Sequence, residues 1–183
     1  MSLSDWANIA EVAGAIAVVA SLVYLAVQVR QNTVTVRNST LHSNTALWSA
    51  LLAKVAEPGM VEAYSVGATG KRDIDPLLYT QFFLVCRSLF VAFENQYYQY
   101  RHGALDKEAY KGYERSISQQ LLAFPGFRLW WQQSKDVFSP AFVAHVDDMI
   151  ARVPQVAPDT YIREWQSAAR EDFKHVGQPV PED

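Results

Sequence analysis

The sequence predicts an all-α protein in which an N-terminal transmembrane helix continues into a helical bundle domain. Three observations carry this. Residues 12 to 29 contain no charged side chain, the signature of a bilayer-spanning helix. Beyond residue 30, apolar residues recur at helical three- and four-residue spacing, and no strand-like alternation persists. Pro, Gly and Asp stand where helices should start and stop.

Composition narrows the field. Half of the 183 residues are hydrophobic and 13% are aromatic, enough apolar mass for a core. The net charge of −3 argues against a nucleic-acid partner, whose phosphates call for a basic surface. The single cysteine, Cys86, lies in the apolar run FFLVCRSLF. It cannot build an internal disulfide framework and reads as a core residue, since a reactive thiol needs an electropositive setting.

The first element is the apolar stretch Ile9 to Val29. At about 1.5 Å per residue it reaches roughly 31 Å, the thickness of a bilayer's hydrocarbon core. Trp6 lies just outside it, as an interfacial anchor. A secretory signal would begin with basic residues, whereas MSLSDWANIAE has none. The remaining alternative is the buried helix of a soluble assembly, because the run is rich in weakly hydrophobic alanine. No Lys or Arg precedes the helix, and Arg30 and Arg37 follow it, which orients the C-terminal side to the cytoplasm. All 16 basic residues lie from Arg30 onward, nearly balanced by acidic ones. Contact with the lipid bilayer is therefore expected through the helix and not through a basic surface.

Small residues repeat at four-residue spacing in this stretch: Ala10 with Gly14, and Ala13, Ala17 and Ser21. Such faces let membrane helices approach closely, so a homo-oligomer is expected; alanine-rich helices also show this spacing by chance. Past the span, Gln28, Gln31, Asn32, Thr35 and Asn38 form a polar cluster. It reads as the solvated start of a stalk, or as a ring at the mouth of a pore in an oligomer. Asn, Thr and Ser weaken helices, so a bend is expected here. The resulting division is a transmembrane helix over 6–29, a juxtamembrane helix or stalk over 30–57, a cytoplasmic helical domain over 58–176 and a tail over 177–183.

The later helices follow in order. Leu41, Trp48, Leu51, Leu52 and Val55 share one face and stop at Pro58-Gly59. A short helix covers about 59–66, before the polar loop GATGKRDID. Asp75 and Pro76 are N-cap and first residue of a helix over about 76–102, ended by Gly103. Asp106 caps a helix to about residue 123, stopped by Pro125-Gly126. FRLWWQQSKDVF forms a short helix, Ser139-Pro140 open another, and Tyr161, Ile162, Trp165 and Phe173 recur at helical spacing in the last.

YLAVQVRQNT (24–33), FENQYYQYRHGALD (93–106), GFRLWW (126–131) and FSPAFVAHVD (138–147) together resemble a family of uncharacterised bacterial proteins with an N-terminal hydrophobic helix and a helical domain. The resemblance spans about residues 6 to 152. It implies that architecture and a bacterial inner-membrane setting with a periplasmic N-terminus, and brings no established activity.

Chemical signatures are sparse. HExxH, GxSxG and GxGxxG are missing, and GATGK lacks the spacing of a phosphate loop, with Arg72 where a hydroxyl should stand. His42, His102, His145 and His175 are scattered. The HVDD run and the Asp172/His175 pair fall short of a di-iron set, and they read as surface histidines near carboxylates. No metal, cofactor or catalytic residue is expected. Arg87, Glu94 and Arg101 recur every seven residues along one helix side, beside Tyr98. Either they pair with neighbouring helices, or they line a polar cavity for a small anionic or aromatic ligand. Trp130 and Trp131 point to different faces of their helix, which suits one core and one interface residue, or a packed pair. The expected role is scaffolding or interaction without catalysis; an oligomeric channel and a small-ligand sensor or enzyme are the alternatives.

Overall fold

A computed structural model describes residues 3–176; the tail expected over 177–183 lies outside them. The described residues are all-α, without a strand. Helix α1 (Leu3–Val55) runs 53 residues without interruption, about 80 Å at about 1.5 Å per residue. The helix is not interrupted at residues 30–40, where a bend is expected from the sequence. The hydroxyls of Thr33, Thr35 and Thr45 donate to the carbonyls of Val29, Gln31 and Leu41, one turn back. Their hydroxyls are thereby satisfied within the helix, which continues through them.

Only the last third of α1 joins the bundle. The Arg37 Nε–H donates to the Gly103 carbonyl, Asn44 donates to Gln99 Oε1 at 2.6 Å, and Trp48 stacks on Tyr113. Leu51 and Val55 then pack against the core. As these contacts advance along α1 they step back along α3 (Pro76–Arg101), so the two helices run antiparallel. Between them in sequence lies α2 (Pro58–Ala68).

Helix α3 begins and ends on local signals. The Asp75 carboxylate accepts from the Leu77 and Leu78 amides, Pro76 occupies the first turn, and Gly103 takes the left-handed φ of 74° just past the end. Its buried face runs through Phe82, Val85, Cys86, Leu89, Phe90 and Phe93. Helix α4 (Lys107–Ile117) is capped by Asp106 but does not continue to residue 123 as an α-helix; a π-helical turn covers Ser118–Leu122. The turn releases carbonyls from the helical ladder, and later segments take them. Tyr161 donates to Gln119 O, Arg128 to Leu122 O and the Val156 amide to Ala123 O.

Helix α5 (Pro125–Ser134) lies between α3 and α6 (Pro140–Arg152). Phe90 of α3 meets both of its tryptophans, with ring centroids 5.0 Å from Trp130 and 5.1 Å from Trp131. Both indoles are buried, so neither serves as an interface residue; α5 has protein on both sides. Gly126 makes the closest approach: a Cβ there would lie 1.9 Å from the Gly67 carbonyl oxygen of α2. Helix α7 (Thr160–Val176) is anchored by Tyr161, against Phe124 and Gln119, and then leaves the bundle with Ile162 and Trp165 exposed.

Candidate functional site

The largest unpartnered feature is the first half of α1. Val12, Ile16, Val19, Leu22, Val23 and Leu25 are all more than half exposed, and none of the most apolar window of this helix is buried. By length and composition the segment is a candidate membrane span. A continuous apolar cylinder of this size marks an interaction surface or a lipid-facing one.

Ala13, Gly14, Ala17 and Ser21 are exposed on α1; the side chain of Ala10 lies outside the described ones. The Ser21 hydroxyl donates to the Ala17 carbonyl at 2.8 Å, and a Cβ on Gly14 would meet nothing within 4 Å. The face is thus unobstructed and its hydroxyl is satisfied within the helix. The polar cluster is equally exposed. Gln28 donates to the Tyr24 hydroxyl at 2.7 Å and Thr35 to the Gln31 carbonyl, while Asn32 and Asn38 face outward. Because α1 is continuous, Gly14, Ala17, Ser21, Gln28, Gln31, Thr35 and Asn38 fall on one slowly drifting stripe, with the 3-4 spacing of a coiled-coil seam.

The four residues read as a ligand set in the bundle each make a contact of their own. The Arg87 guanidinium sits 5.1 Å from the centre of the Phe138 ring. Glu94 Oε1 accepts from the Ser139 amide at 2.8 Å, at the N-cap of α6, where Ser139 makes no side-chain cap of its own. Tyr98 is exposed and stacks on His102, and Arg101 lies over the Tyr97 ring. Each contact ties α3 to a neighbour or to itself.

A different polar cluster joins α4 to α6. Glu114 is only 7% exposed and pairs with Lys111; His145 Nε2 and Arg152 lie 3.8 and 3.9 Å from its Oε1. The Tyr110 hydroxyl is 2.7 Å from His145 Nε2. Burial holds the His145 imidazole below its usual value of 6.5, with Glu114 opposing. The imidazole and the Tyr110 hydroxyl share one hydrogen bond through Nε2. Burial, then Glu114, pushes the Tyr110 phenol up, which keeps it a donor. The Glu114 carboxylate is thus surrounded by Lys111, His145 and Arg152, which binds α4 to α6.

Sequence reasoning took His145 for a surface histidine. It is instead half-buried, stacked 4.7 Å from Tyr97. The i, i+4 pair of Tyr110 and Glu114 and the i, i+7 pair of His145 and Arg152 were the available signals, but nothing local says that the two helices meet. The neighbouring acids have other partners: Asp147 accepts from Trp131 and Lys135, and Asp148 from Arg152. No group of three metal-ligating side chains occurs among the described residues; the side chains of Asp172 and His175 lie outside them. No family model, no curated protein and no solved structure matches the chain.

Proposed function

We propose that this is a single-span protein of the bacterial inner membrane, periplasmic at its N-terminus, that holds a cytoplasmic helical bundle on a continuous stalk and assembles into a homo-oligomer with a scaffolding or interaction role. The observation that carries the reading is the apolar half of α1: it is wholly unburied, while the bundle closes its core without it. Such a surface is stable in hydrocarbon and costly in water. The stretch from Val29 to Arg37, the first bundle-bonding residue, is polar and exposed. It sets the bundle about 12 Å beyond the span, at about 1.5 Å per residue.

Self-association is supported by the shared stripe. Small residues allow close approach within the bilayer, and polar residues continue the same seam below it, where they select register and oligomer number. A second reading, an oligomeric channel, draws on the same polar stripe, which in an assembly would face the axis just past the span.

The test is alkaline carbonate washing of membranes carrying the full chain, followed by the mass of the detergent-solubilised particle. Retention and a mass of several chains, reduced to one by Gly14→Leu, are expected. Release without detergent would overturn the membrane reading. Conductance of the same particle in planar bilayers separates the channel from the scaffold, and a silent bilayer eliminates the channel.

A further inference from the structure

The bundle has a cleft of about 250 Å³ at the end away from the apolar half of α1, where the α2–α3 loop meets α5. The charged side chains that line it are cationic, while Asp73 lies next to them in the same loop. Lys71 and Arg72 line it, no carboxylate does, and neither cation makes an ion pair among the described residues. The nearby Asp75 is committed to capping α3. Gly126, in the first turn of α5, also lines the cleft, and that helix has no side-chain cap. Its uncapped amides add the positive end of a helix dipole.

The remaining walls are apolar, with a few directed polar groups. Phe82, Leu129 and Trp130 supply flat hydrocarbon surface. The indole N–H of Trp130 is sealed within the protein, so Trp130 offers the cleft apolar surface alone. Tyr79 donates to Gln133 Oε1 at 3.3 Å, which leaves the Gln133 amide N–H groups available. The loop that presents the cations is held in place. Gly70 adopts φ 70° against Leu129 and Pro125, and the Thr69 hydroxyl bridges the Val66 carbonyl and the Lys71 amide.

We infer that this cleft binds a small organic carboxylate with a flat apolar body, its carboxylate held by Lys71 and Arg72 and its body against Trp130 and Leu129. The volume suits a ligand below drug size. Arginine matches a carboxylate bidentately, with lysine as a second point charge. The apolar walls favour an organic acid over inorganic phosphate. The inference is independent of how α1 is used.

Calorimetric titration of the full-length, detergent-solubilised chain tests it, with benzoate as probe, benzamide as its neutral isostere and inorganic phosphate as the bare anion. Benzoate is expected to bind saturably at one per chain. Benzamide and the Lys71→Ala/Arg72→Ala double variant should each weaken binding by about tenfold or more, the loss of a charge-assisted contact. Leu129→Trp, at a half-exposed position, should abolish binding by filling the cleft while leaving the circular dichroism unchanged. Absence of saturable heat, equal binding of benzamide, native affinity in the double variant or in Leu129→Trp, or phosphate binding as tightly as benzoate would each overturn the inference.

Discussion

Helices α1 and α3 each contain a window long and apolar enough to cross a bilayer, yet 39% of the α3 window is buried in the protein and none of the α1 window is. The difference lies in how polar residues are distributed. In α1 they are segregated into a block from Gln28 onward, which leaves the preceding stretch apolar on every side. In α3 they recur every seven residues, as Arg87, Glu94 and Arg101, on a helix whose other face packs Phe82 through Phe93. One helix leaves its apolar window unburied; the other supplies a core and meets its neighbours through a charged side. Length and mean hydropathy cannot separate these designs, whereas the angular position of the charges does.

The contrast predicts opposite responses to mutation. Phe90→Ala removes a ring packed against both Trp130 and Trp131 and should cost about 3–5 kcal/mol of bundle stability. Val19→Ala should change it by less than about 0.5 kcal/mol. Denaturant titration followed by near-ultraviolet circular dichroism measures both, and a large effect of Val19→Ala would mean that the bundle uses the apolar half of α1.

Val19→Arg should act in the other direction. A charge at the centre of a span costs about 2.5–3.5 kcal/mol of insertion, so carbonate washing should release a larger share of the chain while the unfolding midpoint of the bundle stays put. Unchanged retention would argue that the segment does not cross the bilayer.

The smallest effect concerns the bundle alone. The folded His145 is harder to protonate than the unfolded one, because burial disfavours its charged form. The unfolded chain therefore takes up the proton first as pH falls. This contribution to stability is complete above about 6.5, the unfolded value, and is lost as pH falls from there through the lower folded value. The midpoint in urea should drop over that window, and His145→Gln should flatten the slope; an identical slope in the variant would assign it to other groups.

Much of the bundle was legible because its signals are local. Asp75-Pro76 and Gly103 bound α3 where expected, and Asp106 caps α4, since a cap needs only residues within one turn. Other features depend on distant partners. The end of α4 was misjudged because the π-helical turn at Ser118–Leu122 exposes carbonyls that Arg128, Val156 and Tyr161 take from further along the chain. The Glu94 contact has no local sign in the sequence, because its partner, the Ser139 amide, is a backbone group 45 residues away. GATGK lacks phosphate-loop spacing; what makes its loop part of a candidate site is α5 arriving opposite Lys71 and Arg72.

The order of residues alone dictates the all-α class, the start and stop of α3 and the uncharged run in α1, because periodicity, capping and hydropathy are properties of neighbours along the chain. Folding in three dimensions settles that α1 continues as one helix from its small residues through its polar ones, which keeps them in a single helical register. It also settles that Trp130 and Trp131 are both buried and that Glu114 meets His145 and Arg152. Those facts depend on which helices lie against one another, and local spacing carries no record of that choice.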